Sequence, residues 1–168
     1  MDNLTSDYDN EDNNIGASVE MGSFNHSCLQ ANLTALLKNT GKYTVCTDLS
    51  LDASHIDLSQ FDIKAKEEIK PDICIYPKRG LSRPNDIIKM NEMPLLAIEV
   101  LSPKQGTYEI LEKFKAYFEL GIKSCWLVYP EAETITVHSS THVRKHFNQD
   151  EVVDEVLELR VPHHDIFE

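Results

Sequence analysis

The apolar run Leu95-Leu96-Ala97-Ile98-Glu99-Val100-Leu101 follows Pro94, stops at Ser102-Pro103 and contains one charge, Glu99. Its length and boundaries predict a strand buried on both faces. A second short run, Ile73-Cys74-Ile75-Tyr76, predicts another strand with Asp72 at its head. Leu29, Leu33, Leu36 and Leu37 recur at helical spacing, with Asn25 as a cap and Gly41 as a stop. Tyr43 to Leu51 reads as a strand, and residues 52–70 as a polar loop holding a broken strand. Thr107 to Leu120 carries Ile110, Leu111, Phe114, Tyr117 and Phe118 on one helical arc before a capping Gly121. Ile122 with Trp126–Tyr129 forms the next strand, with Trp126 as its core anchor. Thr134–His138 pairs with that strand across the turn at Pro130–Glu133. Leu157, Leu159 and Val161 alternate as a last strand before a short terminal turn. The order predicts an α/β (mixed α+β) fold with two main helices. The strand-helix-strand unit over 95–129 implies one right-handed parallel crossover.

Residues 1–20 are rich in Asn, Asp and Ser with little to bury, which predicts a disordered acidic tail before a domain spanning 21–168. The chain's net charge is −12. Six of its acids and none of its bases fall within residues 1–22, so 22 acids face 16 bases in the rest, a net −6. No broad basic face therefore announces nucleic-acid affinity, although a cation held in an acidic site can supply local positive charge. Lys78, Arg79 and Arg83 form the one basic cluster outside the helices, read as a solvated loop with phosphate contact as the alternative. No run reaches the roughly 18 apolar residues of a membrane span and no basic-apolar leader opens the chain, which points to a cytoplasmic protein. Cys28, Cys46, Cys74 and Cys125 are scattered, without the paired spacing of a zinc site or disulfide framework.

A carboxylate inside an apolar strand is costly unless something opposes its charge. Asp72 and Glu99, on neighbouring strands about 5 Å apart, would present converging oxygen ligands suited to a divalent cation. Lys113 lies about 40° from Tyr117 and about 60° from Ile110 on the helix, at the margin of the buried arc. It can reach over the sheet edge to orient a water or offset charge on phosphorus. Glu109 shares that margin, as a partner for Lys113 or an outer metal ligand. Each residue also has an ordinary reading: Asp72 as a turn initiator, Glu99 in a structural ion pair, Lys113 as a solvated helix lysine. Together the three are the parts of a phosphodiester hydrolase.

Asp72 within Lys70-Pro71-Asp72-Ile73, the stretch Ala97 to Pro103, the helix Tyr108 to Tyr117 and the segment Gly121 to Val128 closely resemble the Uma-two family. This is a bacterial family of restriction endonuclease-like proteins in the PD-(D/E)xK nuclease superfamily, and the similarity runs over roughly residues 20–168. It implies a restriction endonuclease-like core, a mixed four- to five-stranded sheet flanked by helices. It also implies magnesium, with manganese as a substitute, held by Asp72, Glu99 and the main-chain carbonyl of Val100. Leu101 stands where the orthodox motif has its lysine, and the resemblance moves that role to Lys113, with Lys104 as second choice. His26 matches a histidine common in the family, with a surface residue of the first helical turn as the other reading. Tyr117 packs or hydrogen-bonds near the site, and Glu20 is a further carboxylate candidate. The implied activity is endonucleolytic cleavage of nucleic acid, DNA first, by a homodimer. The rival expectation is a nuclease fold kept as a binding or assembly module without turnover.

Overall fold

The computed structural model describes residues 22–168. The expected tail, and Glu20 with it, lies outside them. Helix α1 (Phe24–Asn39) starts at Ser23, whose hydroxyl accepts from the His26 N–H, so the cap is Ser23 and not Asn25. After Gly41, at φ +70, the chain enters β1 (Tyr43–Thr47). The strand expected to reach Leu51 is cut at Asp48, at φ 51, and its remainder is β2 (Leu51–Asp52). A 3-10 turn at Leu58–Phe61 precedes β3 (Glu68–Ile69), which pairs with β2 in a small ribbon. Then follow β4 (Ile73–Pro77), β5 (Leu96–Val100), α2 (Thr107–Glu119), β6 (Ser124–Tyr129) and β7 (Thr134–His138). Helix α2 ends as its Gly was expected to end it. Gly121, at φ +97, lets its own N–H reach the Phe118 carbonyl and the Ile122 N–H reach that of Tyr117. Three strands complete the chain before α3 (His163–Phe167): β8 (Arg144–Phe147), β9 (Glu151–Asp154) and β10 (Leu159–Pro162).

The main sheet has six strands in the order β1-β4-β5-β6-β7-β8, one more than the resemblance implied. Among its described strands only β5 and β6 run parallel, with α2 as their crossover. Strand β8 escapes a reading of the sequence because Arg144, Lys145 and His146 are all exposed at the sheet edge, without apolar alternation. Strand β9 pairs with β10 as a separate ribbon.

Both faces of the central strands are covered, which is why β5 reads as a continuous apolar run. On one face Leu29, Leu33 and Leu37 of α1 pack with Ile73, Ile98, Trp126 and Val128, closed by β9, β10 and α3. On the other, Ile110, Phe114 and Tyr117 of α2 pack on Ala97, Cys125 and Leu127. Full burial of one such side chain is worth about 1.5–3 kcal/mol. Trp126 is fully buried as the anchor the sequence suggested, and its indole N–H donates to Asp154 Oδ2 at 2.8 Å. The Ser124 hydroxyl donates to the same oxygen, while the N–H groups of Val156 and Leu157 donate to Oδ1. Among the described residues all four cysteines are free thiols, and no helix is long and apolar enough to cross a membrane.

Candidate active site

Antiparallel register brings the two acids together. Ile73 faces Ile98 and Cys74 faces Ala97, so one step further Asp72 stands opposite Glu99 where β4 and β5 begin to part. Glu99 meets Tyr117 and Lys113 of α2, while the Asp72 carboxylate, one residue before β4, meets His26 of α1. The Val100 N–H, free at this end of the ladder, donates to Asp72 Oδ2 at 2.7 Å. His26 Nε2 approaches that oxygen at 3.1 Å from the first turn of α1. One turn later on the same helix, the Gln30 amide donates to the Asp72 carbonyl at 2.8 Å and to Asp48 Oδ2 at 3.3 Å.

Glu99 is 2% exposed. The Tyr117 hydroxyl donates to its Oε1 at 2.5 Å, and the Lys113 ammonium stands 2.8 Å from the same oxygen. Lys113 also donates to the Lys70 carbonyl at 2.7 Å, so it leans over the sheet edge instead of into solvent. Burial pushes the Glu99 carboxyl up to about 7, with the Asp72 charge adding to the rise and Lys113 and Tyr117 opposing it. Burial also holds the Tyr117 phenol well above its ordinary value, which keeps it a donor. The hydrogen bond to Asp72 raises His26 against the opposing effect of its burial.

These groups line one polar cleft of about 320 Å³, in which His26, Gln30, Asp48, Asp72, Glu99 and Lys113 converge. His26 is therefore built into the site and is not a surface residue of the first turn. Glu109 is exposed on α2, and the partners of Lys113 among the described residues are Glu99 and the Lys70 carbonyl. Lys104 is exposed in the loop after β5 and does not line the cleft. Arg79 of the basic cluster grips Glu92 with both terminal nitrogens and lies over the Tyr76 ring. Gln30 and Asp48 are additions that sequence reasoning missed. The one available signal was that Gln30 follows His26 by four residues and so shares its helix face.

The donor set suits a hard divalent cation. Among the described residues, Glu99 Oε2 and Asp72 Oδ1 make no hydrogen bond, so one oxygen of each acid is free of protein partners there. No three His, Cys, Asp or Glu side chains form a ready metal cluster among those residues. Two carboxylate oxygens completed by main chain and water match magnesium, which keeps much of its hydration shell.

No curated protein matches the chain. Among solved structures, one from Anabaena variabilis ATCC 29413, described as a putative nuclease belonging to DUF820, superposes with a TM-score of 0.66 at 18% identity. The match covers 88% of this chain and 82% of that one, and at this identity it establishes a shared fold. The Uma2 family, described as “Putative restriction endonuclease”, matches residues 7–162, most of the chain. By that match the chain belongs to the Uma2 family.

Proposed function

We propose that the protein is a metal-dependent endonuclease that hydrolyses nucleic-acid phosphodiesters, with DNA as the first substrate to test. The observation that carries this reading is the opposition of Asp72 and Glu99 at the parting of β4 and β5, with Lys113 on Glu99. The family description and the shared nuclease fold support it.

Asp72 and Glu99 would hold magnesium, or manganese in its place, with the Val100 carbonyl as a third donor. Such an ion, when bound, polarises the phosphate and lowers the pKa of water enough to supply a nucleophile near neutral pH. The protein's own groups do the positioning. The Val100 N–H and His26 fix Asp72 Oδ2, leaving Oδ1 to the ligand. Tyr117 fixes Glu99 in the same way. Lys113 keeps a fixed positive charge at the mouth of the cleft, where it can orient the attacking water or offset charge gathering on the phosphate oxygens. Its attachment to the Lys70 carbonyl limits how far it can swing.

The test is plasmid nicking in magnesium or manganese by the wild type, Asp72→Asn and Glu99→Gln. Activity present in the wild type and lost in both variants supports the assignment, and unchanged cleavage by Glu99→Gln refutes it. Leu101 at the orthodox lysine position and the net charge of −12 favour a second reading, a nuclease fold kept for binding or assembly. Calorimetric titration separates the two, since failure to bind either cation supports the second. Blunt double-strand cleavage usually takes two active sites, so the nuclease reading carries a homodimer, which light scattering at micromolar concentration checks.

A further inference from the structure

A second pocket, of about 480 Å³, opens beside the acidic cleft and shares Ser102 and Gln105 with it. Its character is different. The apolar part of its lining includes Phe24, Pro103 and Tyr129, and the one charged residue there is Glu131. Phe24 is 82% exposed. It lies two residues before His26, which touches Asp72. Tyr129 ends β6, next to β5, and the Leu101 N–H bonds the Val128 carbonyl at 2.9 Å. Both aromatics therefore stand at the end of the sheet where Asp72 and Glu99 meet.

Because the two pockets share Ser102 and Gln105, a nucleotide next to a phosphate held in the cleft can lie over this one. The lining carries no Lys or Arg, so it does not suit a second phosphate. Two aromatic rings and a proline suit a flat uncharged base, and the Asn25 and Gln105 amides can reach its polar edge. The volume lies within the usual range of small-ligand pockets, roughly 300–1,000 Å³. A base stacked and paired within a duplex cannot enter such a pocket without leaving the stack.

We propose that this pocket takes one unpaired nucleobase adjacent to the scissile phosphate, so that the preferred substrate is single-stranded, bulged or extruded at that nucleotide. The inference rests on the nuclease reading for the place of the phosphate and names the substrate class of that same site. Phe24 and Tyr129 are then specificity-determining residues, distinct from the groups that hold the cation.

The experiment compares fluorescein-labelled duplexes carrying one bulged thymidine, one bulged abasic residue or no bulge, together with the single strand. Binding is read by anisotropy in chelator, and cleavage in magnesium, for the wild type, Phe24→Ala, Tyr129→Ala and Asp72→Asn. The wild type is expected to bind the bulged base about tenfold or more tightly than the abasic bulge, the scale of one base–aromatic stack. Phe24→Ala and Tyr129→Ala are each expected to erase most of that difference while keeping a wild-type circular-dichroism spectrum. Equal affinity for the base and abasic bulges, or an unchanged preference in both aromatic variants, overturns the inference. So does conversion of a dimer to a monomer by Phe24→Ala with no change in base dependence, which would assign the face to a second copy of the chain. The nuclease reading fails separately. If nothing is cleaved but base-dependent binding persists and needs Phe24, the pocket stands as a binding site without catalysis. If Asp72→Asn alone abolishes cleavage and base dependence is absent, the nuclease stands without the pocket.

Discussion

Tyr117 and Glu99 belong to different layers of the fold, yet the hydroxyl of one closes on Oε1 of the other at 2.5 Å. Both are buried, so the contact forms where water does not compete for either partner. Tyr117→Phe removes only this hydroxyl and is expected to lower nuclease activity about tenfold while the fold remains. It is also expected to shift the rising limb of the pH–rate profile upward, because the bond favours ionised Glu99. A plain loss of packing would not move that limb.

Lys113 acts on the same oxygen with a full charge. Lys113→Met is expected to cost about 10²–10³ in rate, the scale for removing one preorganised electrostatic group. Lys113→Arg should restore part of it, because the longer guanidinium can still reach Glu99 and the Lys70 carbonyl. Single-turnover cleavage rates of the three proteins check this, and wild-type rates in Lys113→Met would remove the residue from the mechanism.

Glu99 also makes the cation-free protein sensitive to pH. Its folded-state value, near 7, lies above the ordinary 4.5, so folded Glu99 holds a proton that the unfolded chain has released. Stability is therefore expected to fall as pH rises from about 4.5 to 7 and to level off above that. Thermal melts in chelator at pH 5.5 and 8 check the sign. Glu99→Gln should flatten the difference, and magnesium should reduce it by favouring the ionised form.

His138 has the opposite sign. It is buried edge-on against Phe114, its Nε2 has no hydrogen-bond partner among the described residues, and burial pulls its pKa down to about 4. The unfolded chain takes up a proton near 6.5 while the folded one refuses it, so stability falls as pH drops from 6.5 toward 4. His138→Phe is expected to remove that acid-side loss in melts between pH 7 and 4.5.

Asp154 carries the heaviest polar load in the core. Asp154→Ala leaves the Trp126 indole and two main-chain N–H groups without their acceptor, and the Ser124 hydroxyl with only the His138 carbonyl at 3.4 Å. Each unmet buried donor costs about 1–3 kcal/mol, and a total on the order of 3 kcal/mol or more is expected in urea unfolding. Cleavage per folded molecule should persist, since the residue does not line the cleft.

Much of this was legible in the chain because local chemistry and tertiary role agree. An acid within the apolar run of β5 had to meet a counter-charge, and Lys113 at the margin of its helical arc supplies one. Gly121 needed a positive φ and has it. Asp48 was illegible, and Gln30 was signalled only by the helix face it shares with His26, because each contributes through a backbone relation across sequence distance: Asp48 through its positive φ and its N–H to the Asp72 carbonyl, Gln30 through a side chain reaching that carbonyl. Strand β8 was missed because an exposed edge needs no apolar alternation. Glu109 was misread because helical angle alone places it near Lys113, whereas the attraction of buried Glu99 draws the ammonium the other way.

The opposition of Asp72 and Glu99 depends on parity. Side chains alternate along a strand, so shifting β4 by one residue against β5 would exchange its two buried faces and take Asp72 out of register with Glu99. Such a slip ruins the core and disbands the acid pair in one stroke. The alignment that packs the core is therefore also the one that assembles the acid pair.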